Sequence, residues 1–177
     1  LWKLPIVYVI TNNRLGMGTS VEDAAAEPDL YKRGSSYRIP GTRIDGHDPV
    51  VVRDAALAAL EQARVERQPV ILEIMMYRLR GHSVVDPARY RSKEDNEVAQ
   101  ANDPVPAYRN TLLKSKVLDE KSADAIHDVA EKIVDAAVEF ADSSPYPEIA
   151  GMFSRVYATP VPNMPDRLPG DPVVVMS

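Results

Sequence analysis

The pattern of apolar and polar positions divides the first half of the chain into short strands and one helix. Residues 6–10 and 69–75 have the sequences IVYVI and PVILEIM, apolar and β-branched runs that are typical of strands. A further short strand is expected at residues 42–45, just before a glycine. Because the first run is apolar throughout, we expect it to be buried on both faces of a sheet.

The helix between the last two strands begins at Asp48 and Pro49, an N-cap residue followed by a proline suited to the first turn. We expect it to run to about residue 67 and to pack one face on the sheet. The residues on that face are small or branched: Val51, Ala55, Ala59 and Ala63. The order strand, loop, strand, helix, strand indicates an α/β fold with a largely parallel sheet flanked by helices. Ligands bind beyond the carboxyl ends of such strands, where the loops at residues 12–20 and 78–90 begin.

The second half of the chain carries three helical patterns. Ser92 followed by Asp95 resembles a capping box, and Asp103 before a proline opens the second helix. Asp119 caps a third helix that should be amphipathic, packed on one side, and run to about residue 140. Its apolar positions are Ile126, Ala130, Ile133, Ala137 and Phe140. From residue 157 onward, closely spaced prolines disfavour a helix or a central strand, so we expect an extended tail.

The composition, 45% hydrophobic and 27% charged, is that of a soluble globular protein. The net charge of -5 argues against a nucleic-acid partner, since phosphate binding needs clustered cations. Without cysteine the chain has no disulfide or thiolate metal site, which fits a reducing compartment, and no apolar run is long enough to span a membrane. We therefore expect a cytoplasmic protein without a membrane partner. The apolar Leu1 and Trp2 at the first positions suggest a fragment or a processed chain.

The first candidate for chemistry is the pair Asn12 and Asn13, directly after a strand. A side-chain amide oxygen and a nearby backbone carbonyl there would suit Mg²⁺, which takes oxygen ligands in octahedral geometry. Taken alone, an asparagine pair is more typical of an ordinary turn, because asparagine tolerates turn conformations.

The second candidate is the loop RLRGHS, which contains Arg78, Arg80 and His82 and follows another strand. Two arginines and a histidine beside a glycine are suited to holding a diphosphate or a developing negative charge. The alternative is a solvated loop without a ligand. The other histidines and two turn-forming pairs are assigned to structure: His47, His127, Asp45-Gly46 and Asp86-Pro87.

Taken together, the segments TNNRLGMGTSVEDAAAEPDLYKRGSSYRIPGTRIDGHD and PVILEIMMYRLRGHSVVDPARYRSKED closely resemble the alpha subunit of the thiamine-diphosphate-dependent pyruvate dehydrogenase component. In that family the cofactor motif opens with Gly-Asp-Gly and closes with Asn-Asn, and only the close is present here. The resemblance implies that residues 1–91 are the C-terminal half of a thiamine-diphosphate-binding α/β domain. Residues 92–156 would be a helical region packed on it, and residues 157–177 the extended tail.

The resemblance also implies roles for individual residues. Asn13 would give its side-chain oxygen, and Leu15 its backbone carbonyl, to Mg²⁺. Arg78 matches an arginine that orders the loop at residues 78–90 and binds the cofactor. His82 matches a catalytic histidine of the active site, which lies close to the diphosphate of thiamine diphosphate.

The activity implied is oxidative decarboxylation of pyruvate, with transfer of the acetyl group to a lipoyl-bearing dihydrolipoamide acetyltransferase. The implied partners are the beta subunit, which completes the active site in a heterotetramer, and the N-terminal half of the alpha subunit. Two alternatives remain: the alpha subunit of a branched-chain 2-oxo acid or acetoin dehydrogenase, and a non-catalytic assembly fragment.

One departure from the family concerns phosphorylation sites. Ser20 and Ser83 align with serines that are phosphorylated in the mitochondrial enzymes. A further family phosphoserine, just before the tyrosine that matches Tyr90, is replaced by Arg89, and one residue is missing there. This difference suggests a bacterial enzyme without that kinase control.

Overall fold

The computed structural model describes residues 1–152 of the chain. The expected proline-rich tail at residues 157–177 lies outside the described residues. The chain divides into two compact units, Leu1–Ala123 and Asp124–Ser177. No helix in the described part is both long and apolar enough to cross a membrane.

The first unit is built around a parallel three-stranded sheet. The strands in chain order are β1 (Val7–Asn12), β2 (Leu15–Gly16), β3 (Thr19–Ser20), β4 (Gly41–Asp45) and β5 (Val70–Met75). The sheet has the order β1-β5-β4, and β5 pairs in parallel with both neighbours. The short β2 and β3 form an antiparallel hairpin of their own. The α/β fold with a parallel sheet and flanking helices is therefore confirmed.

Most of the helices begin where capping chemistry predicted them. They are α1 (Val21–Ala24), α2 (Pro49–Val65), α3 (Lys93–Ala101), α4 (Pro104–Lys114) and α5 (Glu120–Ser143), with 3-10 turns at Leu30–Tyr37 and Ile149–Met152. The Asp48 side chain accepts a hydrogen bond from the Val50 backbone at 2.8 Å, and Asp103 caps α4 in the same way. The capping box of Ser92 and Asp95 at the start of α3 is present with both hydrogen bonds.

The core lies between α2 and the sheet. Ala59 and Ala63 of α2 pack with Val70 of β5, and Val7 of β1 packs against this cluster. Small side chains on α2 let its backbone approach the strands, as predicted. Val51, predicted on the same face, is instead 42% exposed because it lies in the first turn of the helix.

One prediction of burial is wrong, and a second stays a prediction. Tyr8 and Val9 of β1, which point to opposite faces of the sheet, are 50% and 56% exposed, because the described residues leave parts of both faces of this strand uncovered. The predicted packing of α5 is not tested, since most of this helix belongs to the second unit, within which Ile126, Ile133 and Phe140 retain 60%, 65% and 73% of their accessible surface. Exposed apolar surface of this extent is typical of regions that other protein covers.

Candidate functional site

The two loops singled out in the sequence start side by side at one edge of the sheet. Asn12 at the end of β1 is paired in register with Met75 at the end of β5. The Met76 backbone N–H then donates to the Asn12 carbonyl at 3.0 Å. Because the strands are parallel, the segments after β1 and β5 leave the sheet at the same edge. Ligands bind at this edge in α/β folds.

The asparagine pair forms a tight turn. The buried Asn12 accepts a hydrogen bond at Oδ1 from the Arg14 backbone at 2.7 Å. Asn13 Oδ1 accepts in the same way from the Leu15 backbone at 3.0 Å. Arg14 has a φ of 62°, in the left-handed region that non-glycine residues seldom adopt. The turn interpretation of the pair is therefore correct, and it leaves each amide oxygen with a second lone pair for another partner.

Arg78 joins the loop after β5 to the hairpin after β1. Its Nη1 donates to the Met17 carbonyl at 2.9 Å, and its Nη2 donates to the Leu15 carbonyl at 3.1 Å. A planar guanidinium can hold two acceptors at fixed spacing, which an ammonium group cannot. The two candidate loops are thus one connected unit, although they lie 63 residues apart at the contact between Arg78 and Leu15.

The loop after β5 is organised around the Asp86 carboxylate. It accepts hydrogen bonds from Tyr90 Oη at 2.6 Å, the Ala88 backbone at 2.9 Å and the His82 backbone at 2.7 Å. These bonds, the tyrosine hydroxyl above all, lower the pKa of Asp86 to about 2. The ring of Tyr90 also lies against Gly18, where a Cβ atom would approach within 2.9 Å.

His82 is exposed, and within residues 1–152 its imidazole forms no hydrogen bond. Only its backbone N–H is held, by Asp86. No hydrogen bond in the described part of the chain links the ring to Asn13 or Leu15. The imidazole is accordingly available to a ligand at the sheet edge.

Beneath the asparagine turn lies a fully buried carboxylate, that of Glu73 in β5. Arg43 donates to it from Nε at 3.0 Å and from Nη2 at 3.2 Å. Asn12 Nδ2 donates at 2.6 Å and the Tyr31 backbone at 3.0 Å. Burial alone would raise the pKa of Glu73, but the hydrogen bonds from Arg43, Asn12 and Tyr31 outweigh it and hold the pKa below its ordinary value.

The residues assigned to structure have local partners. Asp45 accepts a hydrogen bond from the His47 backbone at 3.0 Å and also contacts the His47 ring at Nδ1. The ring lies 4.8 Å from that of Tyr77, and its Nε2 has no partner in the described part of the chain. His127 pairs with Glu131 one turn further along α5.

The sequence model of the family described as "Dehydrogenase E1 component" matches residues 1–150. The chain belongs to this family. Members of the dehydrogenase E1 component family are generally thiamine-diphosphate-dependent.

Curated relatives of the chain are enzyme subunits. "Pyruvate dehydrogenase E1 component subunit alpha" of Rickettsia conorii is 43% identical over 157 residues, which is 89% of this chain and 48% of that protein. The protein of the same name in Rhizobium meliloti is 39% identical over 88% of this chain and 45% of its own length. A chloroplastic subunit alpha-3 of Oryza sativa is 36% identical over 90% of this chain and 38% of its own length. The chain spans about half the length, or less, of these relatives.

Two oxygen atoms at the turn have the chemistry of magnesium ligands. The Asn13 amide oxygen and the Leu15 carbonyl are hard, neutral ligands of the kind that Mg²⁺ accepts. Residues 1–152 contain no cluster of three or more His, Cys, Asp or Glu side chains that could hold a metal ion. A divalent cation held by these two neutral oxygens would need further, negatively charged ligands.

The sequence analysis gave no role to three residues that hold these loops, Glu73, Arg43 and Tyr90. It assigned Asp86 only to a turn. One signal for Glu73 was present in the sequence. It is the only charged residue in an otherwise apolar strand, and a buried charge requires several hydrogen-bond donors.

Proposed function

We propose that this chain is part of the alpha subunit of a thiamine-diphosphate-dependent pyruvate dehydrogenase, and that residues 1–91 supply the Mg²⁺-diphosphate end of its active site. The observation that carries the proposal is the double hydrogen bond from Arg78 to the carbonyls of Leu15 and Met17. It joins the two loops whose sequences match the family motif and fixes them at the carboxyl end of a parallel sheet.

Each residue of the site has a role that its geometry supports. Asn13 would provide its amide oxygen, and Leu15 its carbonyl, to the metal. Arg78 would hold the hairpin in place, and the exposed His82 imidazole would donate a hydrogen bond to a diphosphate oxygen. Thiamine diphosphate, when bound, supplies the electron sink that decarboxylation of a 2-oxo acid needs.

The reaction proposed is oxidative decarboxylation of pyruvate, with the acetyl group passing to a lipoyl-bearing dihydrolipoamide acetyltransferase. The partners proposed are the beta subunit and the N-terminal half of the alpha subunit, in the cytoplasm of a bacterium. Support comes from the names of the relatives, the half-exposed edge strand β1 and the apolar face of α5. Both surfaces are suited to contact with further protein.

Calorimetric titration of thiamine diphosphate and Mg²⁺ tests the cofactor role. We expect no tight binding to the isolated chain, because residues 1–152 contain no cluster of acidic or histidine side chains that could hold the metal. Binding should appear once the N-terminal half and the beta subunit are supplied. If the complete assembly also fails to bind, the catalytic proposal is wrong and the assembly-fragment alternative is favoured.

Steady-state assays of the complete enzyme test the substrate. The motifs GMGTS and RGHSVVDP favour the pyruvate type. We expect kcat/KM to be higher for pyruvate than for 2-oxoisovalerate or acetoin. A clear preference for the branched acid or for acetoin would overturn the choice of substrate while leaving the cofactor role intact.

A further inference from the structure

Glu73 is the most deeply buried charged group in the described part of the chain, with no accessible surface at all. It lies in the central strand β5, level with Ile10 of β1 on one side and Arg43 of β4 on the other. A buried carboxylate is unfavourable unless it is well hydrogen-bonded. Its presence in an apolar strand therefore calls for a function that a hydrophobic residue could not serve.

All the partners of the Glu73 carboxylate donate an N–H, so both of its oxygens act as acceptors. Oε1 accepts from Asn12 Nδ2 at 2.6 Å and from Arg43 Nη2 at 3.2 Å. Oε2 accepts from Arg43 Nε and from the Tyr31 backbone, each at 3.0 Å. A carboxylate can accept from both pairs of donors, whereas the NH₂ group of an amide would face one of the two pairs and could not accept from it.

The Asn12 carboxamide is held at both ends. Because Nδ2 donates to Glu73, Oδ1 must face the opposite way, and it accepts from the Arg14 backbone at 2.7 Å. This bond holds Arg14 in its left-handed conformation, with a φ of 62°. The same turn places Asn13 Oδ1 on the Leu15 N–H at 3.0 Å. Two hydrogen bonds thus connect Glu73 through the Asn12 side chain to the Arg14 N–H. From there the backbone of the turn leads to Asn13 and Leu15, the residues proposed to face the metal.

We propose that Glu73 is a positioning residue: by fixing the orientation of the Asn12 carboxamide, it sets the turn that presents Asn13 and Leu15 to the metal-diphosphate group. This inference rests on the proposed function. It concerns a residue that contacts neither metal nor cofactor and acts through Asn12.

The test uses the complete alpha-beta assembly and the variant Glu73→Gln. In one orientation of the new amide, its NH₂ group faces Asn12 Nδ2, so the Asn12 carboxamide must turn over or lose its partner. In the other orientation, Arg43 Nε and the Tyr31 N–H lose theirs. We expect the dissociation constant for Mg²⁺ at saturating thiamine diphosphate to rise by up to about tenfold, the lower end of the effect of removing a direct partner of a metal ligand, because Glu73 acts through Asn12. Amide hydrogen exchange in peptides covering residues 12–16 should become faster.

A control in the same strand separates positioning from stability. Leu72→Val removes one methylene from a buried side chain that belongs to no hydrogen bond of this network. It should lower Tm while leaving the Mg²⁺ constant within about twofold of the wild type. If Leu72→Val shifts the Mg²⁺ constant as much as Glu73→Gln does, the effect is general destabilisation and the positioning role is wrong.

A charge-conserving exchange provides the rescue. In the double variant Asn12→Asp with Glu73→Gln, the glutamine NH₂ can donate to the aspartate, whose other oxygen still accepts from the Arg14 N–H. We expect most of the lost Mg²⁺ affinity to return, and no recovery would contradict the inference. If Glu73→Gln fails to assemble, Asn12→Ala must show the same loss of affinity, and an unchanged constant there overturns the role.

The outcomes also separate this inference from the proposed function. If the wild-type assembly binds neither thiamine diphosphate nor Mg²⁺, the proposed function fails and the inference fails with it. If the wild type binds both, and Glu73→Gln and Asn12→Ala bind Mg²⁺ as well as the wild type does, only the positioning role is wrong.

Discussion

Replacing Arg78 by lysine should weaken cofactor binding although the positive charge is kept. The guanidinium donates to Met17 at 2.9 Å and to Leu15 at 3.1 Å through two different nitrogens. A lysine ammonium is a single point donor on a different stem, so it cannot reproduce the spacing of the two acceptors. At least one of the two hydrogen bonds is lost in Arg78→Lys.

The magnitude follows from the environment of these bonds. Hydrogen bonds to a charged group contribute roughly 1.5–3 kcal/mol, and partial exposure here favours the lower end. A loss of about 1.4 kcal/mol in the ordering of the hairpin corresponds to about a tenfold increase in a dissociation constant. We therefore expect thiamine diphosphate to bind the Arg78→Lys assembly about tenfold more weakly at fixed Mg²⁺.

The assay is calorimetric titration of thiamine diphosphate into the complete apo assembly, with Arg89→Lys as the matched control. Arg89 is exposed in the same loop, and its guanidinium has no hydrogen bond to any of residues 1–152, so the same exchange there should leave affinity unchanged. Tighter Mg²⁺ binding by Arg78→Lys would refute the reasoning. It would mean that Arg78 competes with the metal for the Leu15 carbonyl instead of positioning it.

Three further predictions concern stability, pH and assembly. Gly46→Ala should destabilise the chain by about 1–3 kcal/mol in thermal unfolding, since a Cβ there would lie 2.4 Å from the Met75 carbonyl oxygen. The pKa of Asp86 is lowered from 3.8 to about 2. The hydrogen bonds that its carboxylate accepts should therefore stabilise the loop fully above pH 3.8, and this stabilisation should be lost as the pH falls toward 2. A ¹³C NMR titration of the carboxyl group should show the midpoint. Ile133→Asn, at a position 65% exposed, should change the stability of the chain by no more than about 0.5 kcal/mol but weaken co-elution with the beta subunit.

Each of these predictions has its own contradiction. Gly16→Ala is the control for Gly46, because its nearest obstacle lies 4.0 Å away, and equal losses in both would exclude the steric explanation. A titration midpoint near 3.8 would show that the Asp86 hydrogen bonds do not favour its ionised form. Undiminished co-elution of Ile133→Asn would mean that this face of α5 is not the subunit contact.

Local structure was predictable because its causes are local in sequence. Asp48 with Pro49 and Ser92 with Asp95 act within one helical turn, so their residue types alone indicate where α2 and α3 begin. β1 and β5 followed from apolar runs bounded by proline and polar residues, whereas the short hairpin of β2 and β3 was not predicted. The parallel pairing of β4 with β5 followed from the helix between them.

The partners of the site residues were not predictable in the same way. Arg78 meets Leu15 across 63 residues, and Glu73 meets Asn12 across 61 residues. Such contacts depend on the register of β1 against β5, which no local pattern specifies. The charge of Glu73 within an apolar strand indicated that a buried partner existed, but not which one.

The exposure of β1 and α5 has a related cause. The apolar composition of both elements favours burial, whereas the exposed fraction of a side chain depends on which neighbours are present. Val9 of β1, at 56% exposure, and Phe140 of α5, at 73%, show this difference. Both are consistent with the proposal that further protein completes the site.

The central claim, that the turn after β1 holds the metal of a thiamine-diphosphate site, is tested most directly with Mn²⁺ in place of Mg²⁺. Crystals of the complete assembly with thiamine diphosphate and Mn²⁺ would locate the ion by its anomalous scattering. We expect it within about 2.3 Å of both Asn13 Oδ1 and the Leu15 carbonyl oxygen, close to the distances of such oxygen ligands. An ion bound at the diphosphate without either oxygen in its coordination shell would contradict the claim.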